Sequence, residues 1–448
     1  MCNCCWRRAL SNSKSREWVP PPYHIPQNRK RSPMKESEQE NSNELILISL
    51  QGEDKPGLTS EMTRILSEHN VDILDIGQAV IHNDLSLGIL INITDQSEDS
   101  ASILKDLLFK AYSMGLNIKF RPIAPNDYEE WVTQQGKARN IITLMARKLT
   151  GRHMAEVTRI IKEQGLNIDK ISRLTGRRSL LVDNSNVMSV VEFSVRGMPL
   201  NVEKLKQDFI EVSKQCEVDI AFQADNIFRR NRRLVCFDMD STLIQTEVID
   251  ELARQAGVYD QVSAITASAM RGEIDFKESF QRRISLLKGL DVSVMKDIAE
   301  HLPLTEGAER LFRTLKKSGY KTAILSGGFT YFGNYLKQKL DIDYMFANEL
   351  EVGADGKLTG RHVGDIVDGA KKAELLKLLA FKEDIHLEQC IAVGDGANDL
   401  PMINEDGLGI AFHAKPKVKA TAQHSISQNG LDTILYLIGF RDREINFN

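Results

Sequence analysis

The chain of 448 residues lacks any apolar run near the ~20 residues a helix needs to cross a bilayer, so no membrane span is expected. It also lacks an apolar h-region behind its first residues, so no secretory signal is expected there. Cysteine is scarce, with six residues and no zinc-ligand spacing. Cys236 and Cys390 fall inside apolar runs and read as reduced core residues of a cytoplasmic protein. An excess of one charge is missing too. Lys and Arg number 58 against 62 Asp and Glu, leaving a net charge of −4 and no electrostatic case for nucleic acid. Any phosphate binding must therefore be local. The length predicts two to four domains, and 42% hydrophobic with 27% charged residues is ordinary for folded protein.

Residues 1–43 do not read as a folded part. Pro20-Pro21-Pro22 and Arg29-Lys30-Arg31 mark a solvated basic tail more than an import signal. Met34 opens an ordinary polar stretch just before the first strand, so residues 1–33 are expected to be an upstream extension without function.

The chemistry concentrates at Leu234–Ile244. Leu234 to Phe237 reads as a strand buried on both faces, as in a parallel sheet. At its carboxyl end, where ligands of open α/β sheets bind, stand Asp238, Asp240, Ser241 and Thr242. Two carboxylates this close repel unless a cation or a shared proton intervenes, and an all-oxygen cluster suits Mg²⁺. A helix-capping turn would be the bland alternative. A calcium loop is excluded, because its sixth and twelfth positions would be Leu243 and Ile249.

Three elements follow in fixed order. A strand at 321–325 ends in Ser326-Gly327-Gly328, whose backbone can approach an anion. Lys372 opens a helix expected over 372–380. A third strand at 390–393 runs into Gly394-Asp395-Gly396-Ala397-Asn398-Asp399. Each piece alone is weak. In this order the pattern resembles the haloacid dehalogenase superfamily of phosphatases. Within it, Asp240-Ser241-Thr242, Ser326-Gly327-Gly328-Phe329 and the run 394–402 are similar to the phosphoserine phosphatase family.

Upstream lies a degenerate repeat. Ser60–Leu66 (SEMTRIL) returns as Ala155–Ile161 (AEVTRII), and Glu68 and Ile73 recur at the same offsets as Glu163 and Ile168. Alternating and helical apolar periods give βαββαβ in each copy, a ferredoxin-like order. Two such units before an enzyme domain resemble tandem ACT modules, which in metabolic enzymes bind amino acids or dimerise the chain. The first keeps the Asp54-Lys55-Pro56-Gly57 turn, while the second has Lys148-Leu149-Thr150-Gly151 there. Asp54, Gly57 and Gly151 are the expected regulatory-ligand residues.

The expected fold is thus α/β: a Rossmann-like parallel-sheet core (232–246 and 305–448) with a helical cap (247–304), preceded by ferredoxin-like modules at 44–126 and 138–225. The resemblance implies Mg²⁺-dependent hydrolysis of O-phospho-L-serine, the last step of L-serine biosynthesis, through an aspartyl-phosphate. It makes Asp238 the nucleophile and Asp240 the general acid and base. Asp238, Asp395 and the Asp240 carbonyl hold the metal, with Asp399 orienting them. Ser326, Gly327 and Lys372 hold the phosphoryl group, and Lys372 is preferred over Lys371 by its Lys-Ala-Glu-Leu-Leu context. Glu247, Arg283 and Asn398 contact the substrate. A homodimer through the modules and an L-serine effector are the expected partners. Two other readings stay open: a phosphatase or phosphotransferase for another small phosphomonoester, and an amino-acid sensor with a degenerate phosphatase domain.

Overall fold

A computed structural model of the chain describes residues 44–94, 97, 99–134, 136–177, 181 and 188–445; the expected tail and Met34 lie outside them. The chain divides into two compact units, one ending at Thr133 and the other beginning at Gln134.

The first unit runs β1 (Glu44–Glu53), α1 (Leu58–Glu68), β2 (Asp72–Ile81), β3 (Asp84–Ile93), α2 (Ser100–Ser113), β4 (Asn117–Ile123) and the start of α3 (Pro125–Gln134). The strands form an antiparallel sheet in the order β2-β3-β1-β4. Leu85, Leu87, Ile89 and Ile91 alternate along β3 and meet Met62 of α1 and Ile103 and Leu107 of α2 in one core. This is the period-2 face of a strand against the period-3.6 face of two helices.

The second unit begins with the same order: β5 (Arg139–Ala146), α4 (Gly151–Glu163), β6 (Asn167–Arg173), β7 (Ser189–Arg196), α5 (Val202–Cys216) and β8 (Asp219–Ala224), arranged β6-β7-β5-β8. Here both sheet faces are covered. Ile142, Leu144 and Ala146 face α4 and α5, whereas Met145, Val190 and Ala221 join the core of the domain that follows. Double burial explains why β5 reads as an unbroken apolar run. Asp219 of β8 sits in the seam. It accepts hydrogen bonds from the Ser427 and Gln428 amides at 2.6 and 3.1 Å and from Asn429 Nδ2 at 2.8 Å.

The second unit continues with β9 (Leu234–Phe237), α6 (Val248–Gln255), α7 (Tyr259–Met270), α8 (Phe276–Ser285), α9 (Val294–Glu300), α10 (Ala308–Lys317), β10 (Lys321–Phe329), α11 (Thr330–Leu340), β11 (Tyr344–Val352), β12 (Leu358–Val363), α12 (Gly369–Lys382), β13 (Cys390–Gly394), β14 (Leu408–Phe412) and β15 (His424–Ile426). The sheet order here is β12-β11-β10-β9-β13-β14-β15, parallel except for the hairpin strand β12. Leu234 of β9 pairs with Lys321 on one side and Cys390 on the other, so three strands end level with one another. Helices α6–α9 form one insertion. Its entry and exit are tied by Gln245 N–H to the Pro303 carbonyl and Thr305 N–H to the Leu243 carbonyl, both 2.9 Å.

Two boundaries differ from expectation by three residues or more. Strand β10 continues past Ser326 to Phe329, because its pairing with β11 is interrupted after Leu325 and resumes at Phe329. Helix α12 begins three residues before Lys372, because the Asp368 carboxylate caps it by accepting the Lys371 amide at 2.9 Å. Among the described residues no helix is long and apolar enough to cross a membrane.

Candidate active site

The site grows from a tight turn after β9. The Met239 carbonyl accepts the amides of Thr242, Leu243 and Ile244 at 3.3, 2.9 and 3.1 Å, and Ser241 takes a positive φ of 56°. Asp238 and Asp240, on either side of Met239, are both buried. Asp238 Oδ1 accepts the Met239 amide at 2.7 Å, and Asp240 Oδ1 accepts the Val248 amide at the start of α6 at 2.9 Å. Ser241 donates to Glu247 at 2.9 Å, and Thr242 donates to Asp395 Oδ1 at 3.4 Å.

From the end of β13 come Asp395 and Asp399. One carboxylate oxygen from each of Asp238, Asp395 and Asp399 lies within 4.8 Å of the others. Asp399 has both oxygens engaged, Oδ1 at 2.7 Å from Lys372 Nζ and Oδ2 accepting the Gly396 amide at 2.9 Å. Lys372 is fully buried and its Nζ is also 2.8 Å from Asp238 Oδ1. Burial alone would lower its pKa, but Asp238 and Asp399 outweigh that and raise it. Lys371 instead pairs with Glu374 on the surface, so the fold itself separates the two lysines.

The carboxylates push one another toward the protonated form. Burial, then Asp399, raise Asp238 well above the usual range; burial, then Glu247, do the same to Asp240. Asp395 is pushed up to about 7 by burial, Asp399 and Glu247. An all-oxygen donor set under this mutual repulsion fits a hard divalent cation, which would relieve it.

From β10, Ser326 is fully buried and its Oγ accepts the Gly328 amide at 2.8 Å. Gly328 is required here: a Cβ would lie 2.4 Å from Asp240 Oδ2. At Gly327 a Cβ would meet the Phe276 ring of α8 at 2.9 Å. The insertion also supplies Arg283, mostly buried, facing the charges of Glu247, Asp250 and Asp240; burial lowers its pKa against their pull. Asn398, half-buried in the turn Ala397–Asp399, has its side chain against Gly396.

Asp54 and Gly57 belong to the first unit. Gly57 caps α1 with φ 94°, and the space where a Cβ would stand is open. Gly151 opens α4 behind Thr150, whose hydroxyl accepts the His153 amide at 3.4 Å, so the two turns differ in build. A surface cleft of about 370 Å³ between α10 and α11, with Arg313, Lys316, Lys317 and Lys339 on its walls, carries none of the grouped carboxylates. Sequence reasoning assigned no part to Phe276, Asn348 or Asp368. None falls in a spaced motif, and only the fold brings them to the site.

Buried carboxylates around a buried ammonium, at the carboxyl edge of a parallel sheet and beneath a helical insertion, define the class: a haloacid dehalogenase-like phosphatase. The family model for haloacid dehalogenase-like hydrolases matches residues 232–405, and that for the ACT domain matches 44–121. Phosphoserine phosphatase from Streptomyces coelicolor is 38% identical over 400 residues, covering 89% of this chain and 93% of the relative. That from Archaeoglobus fulgidus is 48% identical over 241 residues, 54% of this chain and 70% of the relative. A solved structure described as a probable phosphoserine phosphatase from Vibrio cholerae superposes with a TM-score of 0.53 at 32% identity, over 68% of this chain and 87% of the other. The chain belongs to the phosphoserine phosphatase family.

Proposed function

We propose that this enzyme hydrolyses O-phospho-L-serine to L-serine and phosphate with Mg²⁺, as the last step of L-serine biosynthesis. The observation that carries the reading is the buried Lys372 ammonium 2.8 Å from Asp238, with the buried Asp240 carboxyl within electrostatic reach of the same lysine. A carboxylate so placed can attack phosphorus while a fixed cation draws charge from the phosphoryl oxygens. Asp238 forms the bond to phosphorus as the seryl oxygen leaves with a proton from Asp240. Water then attacks the aspartyl-phosphate, its proton goes to Asp240, and the bond to Asp238 breaks. Mg²⁺, held by Asp238, Asp395 and the Asp240 carbonyl, supplies charge neutralisation. Asp399, spent on Lys372 and Gly396, orients this group. Ser326, Gly327 and Lys372 bind the phosphoryl oxygens. Glu247 meets the substrate ammonium, Arg283 its carboxylate, and Asn398 lies at the edge of that pocket.

In this reading 232–246 with 305–448 is the catalytic core, 247–304 the lid, and 44–126 and 138–225 are modules of a homodimer. L-serine binds near Asp54 and Gly57 between modules of two chains and alters turnover. The open left-handed turn at the N-terminus of α1 supports a carboxylate there. The test is phosphate release from O-phospho-L-serine with and without Mg²⁺, beside a panel of other monoesters and alcohol acceptors. Faster release from another monoester, or transfer to an added alcohol, would replace the substrate assignment.

A further inference from the structure

We infer that Asn348 is a positioning residue that sets the spacing between the two segments that hold the phosphoryl group; this rests on the phosphatase site read above. Asn348 lies on β11, is 2% exposed, and has both ends of its carboxamide engaged. Nδ2 donates to the Gly327 carbonyl at 2.8 Å, and Oδ1 accepts the Val367 amide at 2.8 Å. Neither partner sits in a regular ladder. Pairing of β10 with β9 ends at Ile324, and pairing with β11 is broken between Leu325 and Phe329. Val367 precedes Asp368, the cap of α12. One side chain therefore ties the Ser326-Gly327 segment to the entrance of the helix that carries Lys372. A part-buried carbonyl and a buried amide would both lose their partner without it.

The lid meets the same clamp at both ends. Phe276 lies against Gly327, and Lys277 Nζ is 3.2 Å from Asp368 Oδ2. Asp368 thus uses one oxygen to cap α12 and the other to hold the lid. Ser326 and Lys372 come from these two different segments, so a shift of either segment misaligns the pair. Misplacement of about 1 Å costs about 100-fold in rate. Among the described residues Asn348 makes no hydrogen bond to Arg283 or Glu247, so recognition of the serine moiety is expected to survive its loss.

The experiment compares the full-length enzyme with Asn348→Asp and Asn348→Leu, with Mg²⁺, reading kcat, the inhibition constant of inorganic phosphate, and that of L-serine competing with substrate. Asn348→Asp keeps size and the acceptor for Val367 but loses the donor to Gly327, and it decides the matter if Asn348→Leu does not fold. The expected result is kcat lower by about 10- to 100-fold and phosphate inhibition weaker by about 10-fold or more, with L-serine competition within about 3-fold of wild type. Wild-type kcat and phosphate inhibition in a folded variant overturn the inference, as does equal weakening of phosphate and L-serine. A wild type inert on O-phospho-L-serine sinks the substrate reading instead. The phosphate constant then judges the clamp with whichever monoester the wild type does hydrolyse.

Discussion

The ammonium of Lys372 stands 2.8 Å from Oδ1 of Asp238, and neither side chain has appreciable exposure to solvent. Such a pair is costly to assemble and costlier to break, since one partner alone is an uncompensated buried charge. Asp238→Asn leaves the shape nearly unchanged and is expected to drop turnover below about a hundredth of wild type, because the covalent route should carry more than ~3 kcal/mol. Lys372→Ala is expected to lose about 100- to 1,000-fold in kcat and to melt earlier than Asp238→Asn. Activity of Asp238→Asn above a hundredth of wild type would remove that residue as nucleophile.

The proposed role of Arg283, binding the substrate carboxylate, can be separated from the chemistry. Its guanidinium faces Glu247 and Asp240 from the inserted helices. Arg283→Ala is expected to lower kcat/KM for O-phospho-L-serine by about 30-fold more than for phosphoethanolamine, which lacks the carboxylate. An equal loss on both substrates would make Arg283 a phosphate ligand or a structural residue.

His424 gives the stability a pH dependence that the active site does not share. It is buried in β15, its Nδ1 has no hydrogen-bond partner, and burial, then Arg232 and Lys206, lower its pKa to about 4. The folded state therefore prefers the neutral ring. The stability tied to that preference is complete above the unfolded pKa near 6.5 and is lost as pH falls through about 4, about 3 kcal/mol in all. Melting temperature should fall across this window, and His424→Leu should flatten the fall. A variant as pH-sensitive as wild type would assign the effect to other groups.

Gly57 tests the proposed effector site. Its φ of 94° disfavours any side chain, although the space beside it is open, so Gly57→Ala is expected to strain the turn by about 1 kcal/mol without a clash. Serine inhibition that persists at saturating substrate should weaken in Gly57→Ala while basal kcat stays the same. If the variant responds as wild type does, serine acts only as a competing product.

The order of elements was legible in the sequence because each depends on local pattern. The paired aspartates after β9, the Ser326-Gly327-Gly328 run and the Gly394–Asp399 run each come after a buried apolar stretch, and a parallel sheet must bring strand ends to one edge. The repeat SEMTRIL and AEVTRII likewise carries the helical period that places Met62 and Val157 in equivalent cores. Motif context preferred Lys372 over Lys371, but tertiary structure supplies the physical reason, since which lysine turns inward depends on where Asp368 starts α12. It alone placed Asn348 between Gly327 and Val367, nineteen to twenty-one residues away on each side of the clamp. It also docked the second module onto the catalytic core through Asp219 and Asn429, 210 residues apart. Periodicity encodes which face of an element is apolar. A hydrogen bond across such distances in sequence is set by how the elements pack, and no local pattern contains that.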